Sequence, residues 1–153
     1  MINNPNTKQK LYKYCLEFID ARLQTVQNQI VEIQNSLLSE TKSSSGDKHE
    51  TGRAMLQLER EKAGQQLAEI QKLNEIISKI DINKAGSTIS LGSLIITSNA
   101  NYFIAISAGE IRIENIDYYC ISANTPIGQL LIGKTKGDNF SFRDLKFEIN
   151  EVL

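Results

Sequence analysis

The sequence predicts an α+β protein: an antiparallel coiled-coil hairpin over residues 1–82, then a small antiparallel β-sheet domain with one short helix over 83–153. Three observations carry this. Two segments of nearly equal length repeat apolar residues at steps of three and four, a polar joint separates them, and after Ile80 that spacing gives way to short runs rich in Ile, Thr, Tyr and Phe. A chain of 153 residues suffices for one small domain plus an extended element that needs little core of its own.

From about Lys8 to Leu38 the stripe is Leu11, Cys15, Ile19, Leu23, Val26, Ile30, Ile33 and Leu37. Gln24, Gln27, Asn28, Gln29 and Gln34 occupy much of the remaining surface. No Pro or Gly interrupts the run, so the helix can extend for roughly 30 residues, or ~45 Å. The partner segment is Glu50 to Ile80, with Leu56, Ala63, Leu67, Ile70, Leu73, Ile77 and Ile80 at similar spacing. Glu59, Arg60, Glu61 and Lys62 read as a solvated face with modest helical pairing.

Residues 41–53 form the joint and the tip of the hairpin. There, Gly46-Asp47-Lys48-His49-Glu50 sets two carboxylates three residues apart at the start of the second helix. Asp47 and Glu50 match a capping box, in which each side chain satisfies a backbone N–H of the first turn. The same placement leaves carboxylate oxygens at the helix end. Two carboxylates alone hold a divalent ion weakly, because such ions take six or more oxygen ligands. A second macromolecule would have to supply the rest.

Beyond Ile80, the segment Asp81-Ile82-Asn83-Lys84-Ala85-Gly86-Ser87 loses helical spacing and marks the boundary. Strands are expected at Thr88 to Thr97, Tyr102 to Ser107, Glu110 to Glu114, Tyr118 to Ser122, Asn139 to Phe142 and Leu145 to Val152. Turns are expected at Asn99-Ala100-Asn101, Ala108-Gly109, Asn115-Ile116-Asp117 and Gly137-Asp138. Phe147 and Ile149 alternate with Lys146, Glu148 and Asn150, as on a sheet with one wet face. Thr125-Pro126 offers an N-cap and a Pro at the first helical position, and Gly133 closes a short helix carrying Ile127, Leu130, Leu131 and Ile132.

A net charge of −1 provides no global positive field for nucleic acid or anionic lipid. No apolar run reaches the ~20 residues that span a bilayer, and the first residues lack the apolar core of a signal peptide, so a soluble cytoplasmic protein without a membrane partner is expected. Cys15 and Cys120 form no ligand-spaced motif and read as buried thiols rather than a disulfide. His49 is the only histidine and reads as a tip residue. Ser43, Ser44 and Ser45 lack the strand-turn-helix surroundings of a nucleophile and read as loop. Gly133-Lys134-Thr135 lacks the earlier Gly and the following helix of a phosphate-binding loop. A self-contained enzyme with a small-molecule substrate is therefore not supported, and any chemistry is expected in a partner's active site.

The hairpin followed by a strand-rich domain, the tip Gly46-Asp47-Lys48-His49-Glu50, and the segment from Ile121 through Ser122, Asn124, Thr125-Pro126 and Leu131-Ile132-Gly133-Lys134 to Gly137-Asp138 together resemble the bacterial transcript cleavage factors of the GreA/GreB family. Thr125 stands where that family has Ser. The resemblance implies an FK506-binding-protein-like fold for the C-terminal domain, docking at the rim of the secondary channel of RNA polymerase, with the hairpin inside the channel. It also implies that Asp47 and Glu50 help hold a second Mg²⁺ shared with the polymerase, which then hydrolyses its own backtracked RNA. Nucleic acid is met only through the polymerase, and no stable metal is expected on the free protein. Ser122, Asn124, Pro126 and Ile127 fall on the docking segment. The tip departs from the family pattern: Thr51 stands where it has Asn, and Gly52-Arg53-Ala54 replaces an Ala, an acidic residue and a Tyr. A non-cleaving channel regulator that competes with Gre factors, and an unrelated coiled-coil adaptor, remain alternatives.

Overall fold

Helix α1 spans Pro5–Lys42 and helix α2 spans Gly46–Ser78, both longer at their outer ends than the apolar stripes alone require. The computed structural model describes the backbone of residues 5–42 and 46–153 and the side chains of 6–39 and 51–153. The chain divides into two compact units, one comprising Met1–Phe18 with Glu75–Leu153 and the other Ile19–Asn74.

In the unit Ile19–Asn74, α1 and α2 pack together along the expected seam. Val26, Ile33, Ala63 and Ile70 are buried, and Leu23, Ile30, Leu37, Leu56, Leu67 and Leu73 are half-buried between them. Glu59, Glu61 and Lys62 are solvated as expected. Arg60 is not: it is half-buried one heptad step before Leu67, and its Nη1 lies 3.4 Å from where a Cβ on Gly64 would stand. The guanidinium thus lies over the bare backbone of the glycine one turn on.

In the other unit, six strands form one sheet in the order β3-β4-β2-β1-β6-β5. They are β1 Leu94–Thr97, β2 Asn101–Ala105, β3 Gly109–Ile113, β4 Ile116–Ser122, β5 Asn139–Phe142 and β6 Leu145–Val152. The sheet is mixed rather than wholly antiparallel, because β2 and β4 pair in parallel, Phe103 opposite Cys120 and Ile104 opposite Ile121. The reason is topological. β3 and β4 make a hairpin that places β4, not β3, beside β2, so the link 106–108 crosses the end of β4.

Several expected boundaries move: β2 ends at Ala105 rather than Ser107, β3 begins at Gly109 and β4 at Ile116, and two further shifts have visible local causes. The first strand is confined to Leu94–Thr97, since Gly92 adopts φ 91° and Ser93 Oγ accepts the Ser90 N–H at 3.0 Å, turning the chain before it can pair. Thr88 keeps only an isolated bridge to Thr135. The β3–β4 turn is Glu114-Asn115, at φ 52° and 66°, with Ile116 already paired to Ile113. Two consecutive left-handed residues twist the backbone as a two-residue hairpin needs, and Arg143-Asp144 does the same between β5 and β6 at φ 51° and 66°.

One sheet face carries a cluster of Ile89, Ile95, Ile104, Phe140, Phe147 and Ile149, roofed by Ile127 and Leu131 of helix α3 (Pro126–Leu131). Phe140 and Phe147, cross-strand partners, stack with centroids 4.8 Å apart. The opposite face presents buried Leu94, Phe103, Tyr118 and Cys120, against which the first turns of α1 settle. Cys15 lies close to Cys120 there, and Thr7 close to Tyr118. Tyr14 donates to the Ala108 carbonyl at 2.9 Å. Among the described residues no helix is long and apolar enough to cross a membrane.

Candidate functional sites

The turn that ends β4 is built by three hydroxyls. Ser122 Oγ accepts the Asn124 N–H at 3.2 Å, and Ser107 Oγ accepts the Ser122 N–H at 3.3 Å. Thr125 Oγ1 donates to the Ser122 carbonyl at 2.8 Å and accepts the Gly128 N–H at 3.1 Å, so it caps α3 and closes the turn together. Pro126 follows at the first helical position, where an N–H would have no helical acceptor. Gln129 Nε2 adds a bond to the Asn124 carbonyl at 3.3 Å.

This arrangement sorts the four expected docking residues. Asn124 and Pro126 are exposed and Ser122 is half-buried with its hydroxyl engaged, whereas Ile127 is 9% exposed and lies in the core beneath α3. The side chains of these four that the turn presents to solvent are therefore Asn124 and Pro126, and Ile127 anchors the helix that holds them. Gly128 is buried tightly: a Cβ there would stand 2.4 Å from the Ser122 carbonyl oxygen and 2.9 Å from Thr125 Oγ1.

Further on, Gly133 takes φ 85° after α3, and Thr135 N–H donates to Asp138 Oδ2 at 2.8 Å across the turn containing Gly137. Gly133-Lys134-Thr135 follows a helix instead of leading into one, so its N–H groups do not converge as in a phosphate cradle.

At the hairpin joint, Asp47 and Glu50 fall in the first turn of α2, three residues apart. Their side chains, and that of His49, lie outside the described residues, as do Ser43, Ser44 and Ser45. Three residues apart on a helix is one side of it, and acids in a first turn are favoured by the unpaired N–H groups there. Among the described residues no group of three or more His, Cys, Asp and Glu could hold a metal.

Two features went unnoticed in the sequence. Lys8 is buried, its Nζ donating to the carbonyls of Lys84 at 3.3 Å and Leu153 at 3.2 Å. Burial pulls its pKa down, opposed by the nearby Asp81 charge. The spacing Lys8, Leu11, Cys15 puts the lysine on the apolar stripe, which is the signal that could have found it. The second is the contact of Cys15 with Cys120, for which no local pattern exists.

The fold is thus that of a two-helix hairpin joined to an α+β sheet unit, with a hydroxyl-tied turn at the end of a central strand. Compared with protein-family models and with curated proteins, the chain matches none.

Proposed function

We propose that this protein is a Gre-type factor that binds RNA polymerase at its secondary channel and supports Mg²⁺-dependent cleavage of backtracked RNA. The observation that carries the reading is the pairing, in one chain, of a long two-helix hairpin bearing Asp47 and Glu50 in the first turn of α2 with a sheet unit whose β4–α3 turn offers Asn124 and Pro126 to solvent. On this reading the turn docks, the hairpin supplies reach, and the two carboxylates complete a metal shell that the polymerase leaves open. The hydrolytic step is the polymerase's own. Cleavage would then require both acids, each of which would contribute an oxygen ligand to the metal or orient the attacking water.

Incubating the protein with a backtracked elongation complex and Mg²⁺ shortens the RNA from its 3′ end on this proposal, and the double substitution Asp47→Ala, Glu50→Ala abolishes the shortening. Undiminished cleavage by the double variant refutes the role of the tip. A second reading, a channel-occupying regulator without cleavage, is favoured by Gly52 and Arg53 in the turn after the acids. It predicts inhibition of a Gre factor's cleavage with none of its own. Failure to bind polymerase at all favours a coiled-coil adaptor instead.

A further inference from the structure

Cys15 on α1 and Cys120 on β4 are 0% and 1% exposed, separated by most of the chain, and close enough for each to shift the other's titration. Neither serves the docking turn or the hairpin tip. Cys120 lies on an interior strand, between neighbours β3 and β2, and its own carbonyl accepts the Ala108 N–H at 3.1 Å, so its backbone is held on both sides. Cys15 lies in a helix flanked by Tyr14, which is tied to Ala108. Both are free, buried thiols.

We propose that Cys15 and Cys120 are a redox-responsive pair, converted by hydrogen peroxide into a reversible disulfide that staples α1 to the central sheet. The oxidant is water-sized, and reaches the pair when the first turns of α1 open locally. Cys15 is the attacking sulfur, because it lies on the helix that opens while Cys120 is held on an interior strand, and its pKa is pulled down by Cys120 and the Ile106 N–H against the cost of burial. The same contact and burial push Cys120 up, which keeps it a thiol until it is needed. Cys15 Sγ attacks one peroxide oxygen, the O–O bond breaks, and hydroxide leaves with a proton as water, giving a sulfenic acid. Cys120 Sγ then displaces the sulfenic oxygen, which departs as a second water with the Cys120 proton. Two thiols and one peroxide become one disulfide and two waters. A dithiol reverses the change.

The test uses the full chain, treated with hydrogen peroxide under native conditions, quenched, unfolded and alkylated. The expected result is a monomer lighter by two hydrogens with neither cysteine alkylated. The peptides containing Cys15 and Cys120 should be joined, dithiothreitol should reverse the change, and the melting midpoint should rise by about 5–15 °C. Cys120→Ser should stop at a Cys15 sulfenic acid that dimedone traps. Alkylation unchanged from the untreated protein, a cross-link between two chains, or sulfinic acid on either cysteine of the native chain overturns the proposal. The mass of the unsubstituted protein decides the matter even where a variant does not fold.

Discussion

The Thr125 hydroxyl donates to the Ser122 carbonyl oxygen at 2.8 Å, so the residue that caps α3 also ties the end of β4 to the start of the helix. One side chain satisfies two backbone groups, and the exposed pair Asn124 and Pro126 is set by it.

Thr125→Ala should therefore cost about 1 kcal/mol of stability, the usual worth of an N-cap, while Thr125→Ser should retain most of it because the same oxygen stays in place. Urea midpoints of the three proteins measure this. On the docking proposal, polymerase affinity falls in the alanine variant and recovers in the serine variant.

Gly128→Ala should be worse than its chemistry implies. The added methyl meets the Ser122 carbonyl oxygen at 2.4 Å, a backbone atom that cannot swing away, so the turn and α3 must part. A loss of about 1–3 kcal/mol is expected, the range of overpacking in a filled site. Gln129→Ala, at an exposed neighbouring position, is the control and should change the urea midpoint little.

Lys8 gives a pH dependence. Its folded pKa lies below the ordinary 10.5, so between those two values the unfolded chain binds more protons than the folded one, and stability rises with pH across that window. Below the folded pKa both states hold the proton and the contribution is flat. Lys8→Met keeps the stem and removes the titration. The stability of the unsubstituted protein relative to this variant should increase as pH climbs toward 10.5, as read from denaturant midpoints at several pH values.

At the tip, Arg53→Asp should raise cleavage if the Gre-type reading is right. Arg53 lies one turn beyond Glu50 and opposes the acidic pair's negative field. A change of about 1 kcal/mol in that interaction corresponds to about fivefold in rate. Single-turnover cleavage measures it, and an unchanged or lowered rate shows that the arginine does not hold activity down.

Much of this architecture was legible because it is local. The three-and-four spacing from Leu11 to Leu37 and from Leu56 to Ile80 specifies helices whose burial then follows, and the alternation at Phe147 and Ile149 specifies one buried strand face. Thr125-Pro126 announces its cap, since the cap needs only residues a turn apart. Arg60 departed from its surface pattern because Gly64, one turn on, leaves room for its guanidinium.

Sequence by itself determined the two long helices, most of the strands and that Thr125 caps α3, because each depends on neighbours within a few residues. Tertiary structure alone decided that β4 lies parallel to β2, that Ile127 faces the core, and that Lys8 and the Cys15–Cys120 pair are buried together with the sheet. Those outcomes rest on partners tens of residues away, and periodicity carries no information about which distant face a stripe will meet.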